Sequence, residues 1–123
     1  MPSILIVGAS AKRHNFGNKC VRAYQEAGYE VFPVNPRAGE IEGAPVFAEI
    51  AAAPPADRAA LYLPPERLAP LLPELAKREF PEGVYFNPGT WTPQLLDEAR
   101  ALGIAVRQAC AIVALGRSPS EFP

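Results

Sequence analysis

The stretch SILIVGAS at residues 3–10 decides the fold, because an apolar run ends there at a glycine, Gly8. A continuous apolar run is typical of a parallel strand buried on both faces, and a glycine after it lets the backbone approach a ligand closely. A helical pattern begins just after Gly17. The free N–H groups and the dipole at the amino end of a helix favour an anion. These residues therefore predict a strand, a phosphate-binding turn and a helix.

The turn differs from the glycine pattern of dinucleotide-binding proteins. That pattern is G-x-G-x-x-G, placed between a strand and a helix. Here Ala9 and Ser10 follow Gly8, and the next glycine is Gly17. NAD is therefore not the expected ligand.

Apolar periodicity and chain-breaking residues predict the remaining elements. Further strands are predicted at residues 29–34, 59–63, 83–86 and 104–107. Helices are predicted at residues 18–27, 46–53, 66–78 and 93–102, and residues 37–45 are predicted as a loop. The helix over 66–78 contains Pro70 and Pro73, which must kink its first half or delay its start.

Five short strands separated by helical segments predict a Rossmann-like, doubly wound α/β fold. We expect a parallel five-stranded sheet between two helical layers, in a three-layer α/β/α arrangement, as a single domain over residues 1–123. Ligands of such sheets bind outside the carboxyl ends of the strands, where the strand order reverses. The residues that follow the strands are therefore the candidate site.

Composition limits the class of protein and of partner. The chain has 123 residues, is 49% hydrophobic and carries a net charge of -1. A nucleic-acid partner is usually met by a basic excess, and a membrane helix needs roughly 20 apolar residues. The sequence has neither of these features, nor a signal-peptide pattern at its start, so we expect a cytoplasmic protein whose two cysteines are reduced.

The predicted ligand-binding residues follow the strands or lie in the first turn. They are Gly8, Ala9, Ser10, Lys12, Arg13, Gly17, Asn18, Asn35, Pro36, Arg37, Leu63, Pro64, Pro65, Asn87, Gly89 and Cys110.

This ordered set resembles the CoA-binding domain family, the Rossmann-like module that also forms the amino-terminal part of the succinyl-CoA synthetase alpha subunit. The likeness is to its small stand-alone members in particular and covers nearly the whole chain. It is carried by VGAS at 7–10, VFPVNP at 31–36, IEG at 41–43 with PVF at 45–47, LYLPPE at 61–66 and NPG at 87–89. The sequence departs from the family at Asn87, where many members have glutamine, and at Ala111, where proline commonly follows the cysteine. The resemblance implies coenzyme A, or an acyl-CoA, as the ligand.

The residues after the second strand give an independent argument about the ligand. An NAD site usually has an acidic residue there, whereas this chain has Asn35-Pro36-Arg37. A guanidinium can hold the 3′-phosphate of CoA through two parallel hydrogen bonds. NADP would satisfy the same arginine, so both ligands remain open on this argument.

The other candidates divide among the parts of CoA. The backbone of Ala9 and Ser10, with the helix start around Gly17 and Asn18, is expected to hold the diphosphate, and Lys12 and Arg13 to add positive charge. The rigid surface of Pro64-Pro65 suits either the adenine or the pantetheine arm. Cys110 follows the last strand on the pocket side, where it could form a mixed disulfide with the pantetheine thiol.

The sequence offers few groups for catalysis. His14 is the only histidine and has no ligand-type neighbours at metal-binding spacing, so no metal site is predicted. Cys20 falls on the apolar stripe of the first helix and is predicted to be a buried small hydrophobe. No nucleophile–base set or paired carboxylates appear at a strand end.

We therefore expect a CoA-binding module that is not catalytic alone and acts as a carrier, a sensor or a protector of the CoA thiol. Two alternatives stay open. One is a small NADP-dependent or nucleotide-sugar enzyme, for which Tyr62, Tyr85 and His14 are the available proton donors. The other is a docking domain for a separate acyl-CoA synthetase subunit. A homo-oligomer is left open as well.

Overall fold

The computed structural model describes residues 1–37 and 39–123. Its strands are β1 (Ser3–Val7), β2 (Glu30–Val34), β3 (Glu40–Ile41), β4 (Ala44–Pro45), β5 (Arg58–Leu61), β6 (Val84–Phe86) and β7 (Val106–Arg107). Its α-helices are α1 (Phe16–Glu26), α2 (Pro65–Leu68), α3 (Leu72–Ala76) and α4 (Pro93–Ala101). Short 3-10 helices span Ile50–Ala52, Ala69–Leu71, Val113–Leu115 and Pro119–Glu121.

Five strands form one parallel sheet in the order β2-β1-β5-β6-β7. Ile4 of β1 pairs with Val31 of β2 on one side and with Arg58 of β5 on the other. The chain thus moves from β1 to one neighbour and then crosses over to the opposite neighbour. This order reverses at β1, which confirms the predicted doubly wound α/β fold. In sheets of this kind ligands bind at the carboxyl ends of the strands where the order reverses, which here is the end of β1.

Alternating strand residues build two apolar layers. Leu5 and Val7 of β1 pack in the cluster that contains the buried leucines of α2, α3 and α4. Ile4 and Ile6 pack in the opposite cluster, with α1 and the C-terminal segment 111–122. The sheet is therefore covered on both faces, as a parallel sheet requires. Among the described residues, the helices lack the length and apolarity that crossing a bilayer requires.

The structure corrects the predictions for residues 37–53. The predicted loop contains a two-stranded antiparallel hairpin, β3–β4. The predicted helix 46–53 is wrong over most of its length, since only Ile50–Ala52 forms a 3-10 turn. Phe47 instead extends along β2, where its N–H donates to the Pro33 carbonyl at 2.9 Å and its carbonyl accepts from the Asn35 N–H at 3.0 Å.

The prolines divide the predicted helix 66–78 as expected. Pro70 is the second residue of the 3-10 turn Ala69–Leu71, and Pro73 is the second residue of α3. The region therefore consists of α2, a 3-10 turn and α3 in succession. Proline has no N–H for a helical hydrogen bond but is tolerated in a first turn. Leu68, Leu72 and Leu75 are buried in the core, so the segments present one apolar face to the sheet.

Tyr24 of α1 holds the C-terminal segment to the sheet. Its buried hydroxyl donates to the Ala111 carbonyl at 2.6 Å and accepts from the Arg58 guanidinium at 3.1 Å. Tyr24→Phe leaves the buried carbonyl unpaired, so we expect the free energy of unfolding to fall by about 1–3 kcal/mol. Urea denaturation measures this change. Tyr29, the half-buried neighbour of Tyr24, gives a control, since Tyr29→Phe should change the free energy of unfolding by less than about 0.5 kcal/mol. Equal losses for the two variants would show that the hydrogen bond to Ala111 is not the cause.

Candidate ligand-binding groove

Three adjoining cavities follow the carboxyl edge of the sheet. The first, called here the β2 compartment, has a volume of about 550 Å³ and lies between the ends of β2, β1 and β5. The central compartment has about 410 Å³, and the Cys110 compartment about 180 Å³. Gly8, Ser10 and Leu63 line both of the first two, while Phe16 and Pro88 line both of the last two. The three compartments therefore form one elongated groove.

Gly8 lines both the β2 compartment and the central compartment, and it has a positive φ of 85°. A Cβ there would lie 2.9 Å from the carbonyl carbon and oxygen of Tyr62. A Cβ on Gly17 would lie 2.6 Å from the Gly8 carbonyl oxygen. Both glycines are thus required for the close approach of the turn to β5 and of α1 to the turn.

The amino end of α1 suits an anion. Its N-cap residue, Asn15, makes no side-chain capping bond, and its side-chain amide donates to the Ser10 hydroxyl at 2.9 Å. The first turn also has no acidic residue. The helix dipole and the N–H groups of this turn therefore favour a negative group in the central compartment.

Asn35 connects the end of β2 to the glycine turn. Its side-chain amide donates to the Ala9 carbonyl at 2.8 Å, and its side-chain oxygen accepts the Arg37 N–H at 2.8 Å. Arg37 is exposed and lines a small cleft of about 210 Å³ together with Lys12 and Glu40. Because Asn35 lines both this cleft and the β2 compartment, the two cations lie beside that compartment. We call this cleft the basic cleft.

Asn18 is buried and serves the scaffold of the turn. Its amide donates to the Ser10 carbonyl at 2.9 Å and to the Glu42 carboxylate at 3.1 Å. Its side-chain oxygen accepts from Arg22 at 2.8 Å. Glu42 also pairs with the exposed Arg13 at 3.4 Å. Asn18 and Arg13 therefore connect the turn to Glu42 of the β3–β4 hairpin. The sequence analysis predicted that both residues contact the ligand.

The structure distributes the other predicted site residues as follows. The β2 compartment is lined by Gly8, Ala9, Ser10, Asn35, Pro36 and Leu63. The central compartment is lined by Gly8, Ser10, Gly17, Leu63, Pro64 and Gly89, and the Cys110 compartment by Asn87 and Cys110. Lys12 and Arg37 line the basic cleft. In the described structure, Arg13, Asn18 and Pro65 line none of these four cavities.

The two positions that depart from the family pattern contact each other. Asn87 is 2% exposed, and its side-chain oxygen accepts the Ala111 N–H at 2.8 Å. Its amide donates to the Leu61 carbonyl at 2.9 Å. A proline at 111 would have no N–H to donate, so alanine there matches asparagine at 87. This pair fixes the position of the neighbouring Cys110 at the end of the groove.

The two thiols have different surroundings. Cys20 is fully buried, as predicted, and burial raises the pKa of its thiol to about 12. Cys110 is half-buried and lines its compartment. The thiol at the end of the groove is therefore the one within reach of a ligand. Within the described residues, no cluster of histidine, cysteine and acidic side chains is arranged to hold a metal ion.

Several residues that line the groove are absent from the predicted ligand-binding set, among them Tyr62, Phe16 and Arg67. Tyr62 lines all three compartments, Phe16 lines two, and Arg67 of α2 lines the β2 compartment. Phe16 is 58% exposed. The sequence does give a signal for Phe16, which is an aromatic residue next to Gly17. Tyr62 was predicted to lie inside the strand 59–63, whereas β5 ends one residue before it, at Leu61.

Solved structures of the same fold come from several organisms. A conserved hypothetical protein from Pyrococcus furiosus superimposes with a TM-score of 0.82 at 25% identity, covering 93% of this chain and 99% of that one. Cell-free ID.343 from Thermus thermophilus gives a TM-score of 0.82 at 27% identity, covering 94% and 88%. Both likenesses extend over nearly the full length of each protein.

A larger enzyme contains the same fold as one part. The dinucleotide forming acetyl-coenzyme A synthetase 1 of Ca. Korarchaeum cryptofilum matches with a TM-score of 0.68 at 23% identity, over 85% of this chain and 25% of that one. This likeness shows the fold alone. A search of curated proteins found no match. Residues 2–116, nearly the whole chain, match the family described as CoA binding domain. The chain therefore belongs to the CoA-binding domain family.

Proposed function

We propose that this protein binds coenzyme A, or an acyl-CoA, along the groove and acts as a holding module that is not catalytic alone. The observation that carries the proposal is the continuity of the three compartments, since neighbouring compartments share lining residues. Coenzyme A is an elongated molecule with a nucleoside, a diphosphate and a flexible arm that ends in a thiol. The groove offers a separate setting for each part.

The β2 compartment suits the adenosine end. Its volume of about 550 Å³ lies within the range of roughly 300–1,000 Å³ that is typical of small-molecule pockets. Apolar walls come from Val34, Ile50 and Leu71, and polar groups from Asn35 and Arg67. A purine and a ribose need this combination of apolar surface and a few polar contacts.

Two features account for the phosphates. The Gly8 turn and the start of α1 would hold the diphosphate, because backbone N–H groups and the helix dipole favour an anion there. Lys12 and Arg37 in the basic cleft would hold the 3′-phosphate beside the adenosine. The pantetheine arm would then follow the central compartment toward Cys110.

Thermal unfolding with excess ligand tests the proposal. A ligand that binds only the folded state adds about 2.7 kcal/mol at a hundred times its dissociation constant. We expect stabilisation by CoA and acetyl-CoA, less by dephospho-CoA, and little by NAD, NADP or ADP. Stabilisation by NADP without stabilisation by CoA would favour the redox enzyme instead.

Cys110 would meet the thiol of bound CoA. When the oxidant is CoA disulfide, the Cys110 thiolate attacks one of its sulfurs, a protein–CoA disulfide forms and one CoA thiolate leaves. We expect intact-mass spectrometry to show one CoA adduct on the wild type and on Cys20→Ala, and none on Cys110→Ser. An adduct that persists on Cys110→Ser would place the reaction elsewhere.

A second role is favoured by one comparison. The same fold forms part of an acetyl-coenzyme A synthetase chain, of which the matched region covers 25%. The protein would then dock on a separate synthetase subunit and present CoA to it. Co-purification with a nucleotide-grasping synthetase subunit, retained after washing with salt, would support this role, and a chain recovered alone would count against it.

A further inference from the structure

The Cys110 compartment differs in charge from the other end of the groove. In the described structure its lining residues carry no charged side chain; they are Phe16, Tyr62, Asn87, Pro88, Cys110 and Pro119. The charged residues Glu49, Arg67 and Glu74 instead line the β2 compartment. The two ends of the groove therefore suit different chemical groups.

The polar side chains of the Cys110 compartment are engaged inside the protein. The Asn87 amide donates to the Leu61 carbonyl at 2.9 Å, and its side-chain oxygen accepts the Ala111 N–H at 2.8 Å. The Tyr62 hydroxyl is buried, so it does not reach the cavity. Among the lining side chains that the structure describes, this leaves the Cys110 thiol as a donor to a ligand, and a thiol is a weak donor.

The cations near this compartment lie outside it or are paired. The Lys19 ammonium lies 5.6 Å from the centroid of the Phe16 ring, but Lys19 does not line the compartment. The Arg117 guanidinium pairs with the Glu26 and Glu121 carboxylates at 3.0 and 2.8 Å. A carboxylate inside the compartment would therefore lose its hydration without gaining a charged partner from the described lining residues, which is costly in free energy.

We propose that the Cys110 compartment is the acyl site of the groove, which accepts short neutral acyl groups and rejects those that end in a carboxylate. This inference rests on the proposed function. The apolar walls from Phe16, Pro88 and Pro119 would cover a hydrocarbon chain. The Phe16 ring, which is exposed in this structure, would be partly removed from water by the same contact. Selection against a carboxylate would come from the cost of leaving it unpaired there.

The volume of the compartment limits the length of the acyl chain. It is about 180 Å³, equal to roughly six water molecules at their share of about 30 Å³ in the liquid. Acetyl, propionyl and butyryl groups fit this space, whereas a long acyl chain would have to leave it. The expected ligands are therefore CoA thioesters of short, uncharged acids.

The test compares acetoacetyl-CoA with malonyl-CoA at pH 7. Their acyl groups have the same number of non-hydrogen atoms, and the terminal methyl group of the first is replaced by a carboxylate oxygen in the second. The pair therefore isolates the charge from the size. On the wild type we expect calorimetry to show acetoacetyl-CoA binding at least about tenfold more tightly than malonyl-CoA.

Phe16→Arg should weaken this preference. The residue is exposed and begins α1, so a guanidinium can stand at the compartment without disturbing the core. We expect the ratio of the two affinities to shift toward malonyl-CoA by about fivefold or more. As the matched control, Leu102→Arg adds the same charge at an exposed apolar residue that lines none of the groove in the described structure, and it should leave the ratio unchanged.

The outcomes separate this inference from the function it rests on. If the wild type binds neither thioester nor free CoA, the proposed function fails. If it binds both thioesters with equal affinity, CoA binding stands and the assignment of the acyl site is wrong. The assignment is also overturned if Phe16→Arg keeps the wild-type ratio, or if Leu102→Arg changes that ratio as much as Phe16→Arg does.

Discussion

Gly8→Ala is expected to lower the free energy of unfolding by about 2–4 kcal/mol and to abolish CoA binding. A Cβ at this position meets the Tyr62 backbone at 2.9 Å, and its φ of 85° is strained for any residue with a side chain. To relieve this contact the turn must move away from β5. That movement would displace the backbone N–H groups that are proposed to hold the diphosphate. Urea denaturation and calorimetric titration with CoA measure the two effects.

Gly28→Ala is the matched control for this substitution. Gly28 has nearly the same φ, 86°, but a Cβ there would meet nothing within 4 Å. It should cost about 1 kcal/mol from the backbone strain alone and leave CoA affinity unchanged. If Gly8→Ala binds CoA as the wild type does, the turn is structural and the phosphate site lies elsewhere.

Arg37→Ala is expected to weaken CoA binding by about 1.5–3 kcal/mol while changing dephospho-CoA affinity little. The two ligands differ only in the 3′-phosphate, so the difference isolates that group. The Arg37 side chain is exposed, so the effect should shrink at high salt. Calorimetric titration at low salt measures both affinities.

The control for Arg37 is an exposed arginine far from the groove. Arg100 lies in the last turn of α4, so Arg100→Ala removes the same charge from a surface that lines none of the described groove. It should leave both affinities unchanged. If Arg37→Ala lowers the affinities for CoA and dephospho-CoA equally, Arg37 does not bind the 3′-phosphate.

The sequence predicted well where local chemistry decides the structure. The apolar run before Gly8, the helix after Gly17 and the helix over 93–102 were all placed from neighbouring residues. Thr92 accepts the Leu95 N–H at 3.1 Å, with Pro93 in the first helical position. These features depend on interactions within a few residues, so a pattern along the chain is enough to find them.

Residues 46–53 were mispredicted because a long-range pairing overrides their local pattern. The spacing of Val46, Ile50 and Ala53 is helical, yet Phe47 bonds to Pro33 and Asn35 along the outer edge of β2. Its ring packs edge-on against Phe32, with 6.1 Å between the ring centroids. Extending the sheet edge satisfies backbone groups that a short helix would leave at its ends. No pattern within that segment indicates that a strand edge lies beside it.

Site residues were missed for a related reason. Asn18 was predicted to bind ligand from its position, but its amide nitrogen donates to partners 8 and 24 residues away in the chain, and its side-chain oxygen accepts from Arg22. Tyr62 was assigned to a strand, although β5 ends at Leu61 and leaves the next residue at the groove. Whether a polar side chain serves the scaffold or the ligand depends on contacts that only the fold reveals.

The claim that this groove holds coenzyme A is tested most directly by calorimetric titration of the wild-type protein with CoA and, separately, with NADP. Both ligands carry an adenosine, a diphosphate and a ribose phosphate, but only CoA has the pantetheine arm that the central and Cys110 compartments would hold. We predict one CoA per chain, bound more than about tenfold more tightly than NADP. NADP binding more tightly than CoA, or no measurable CoA binding, would contradict the account.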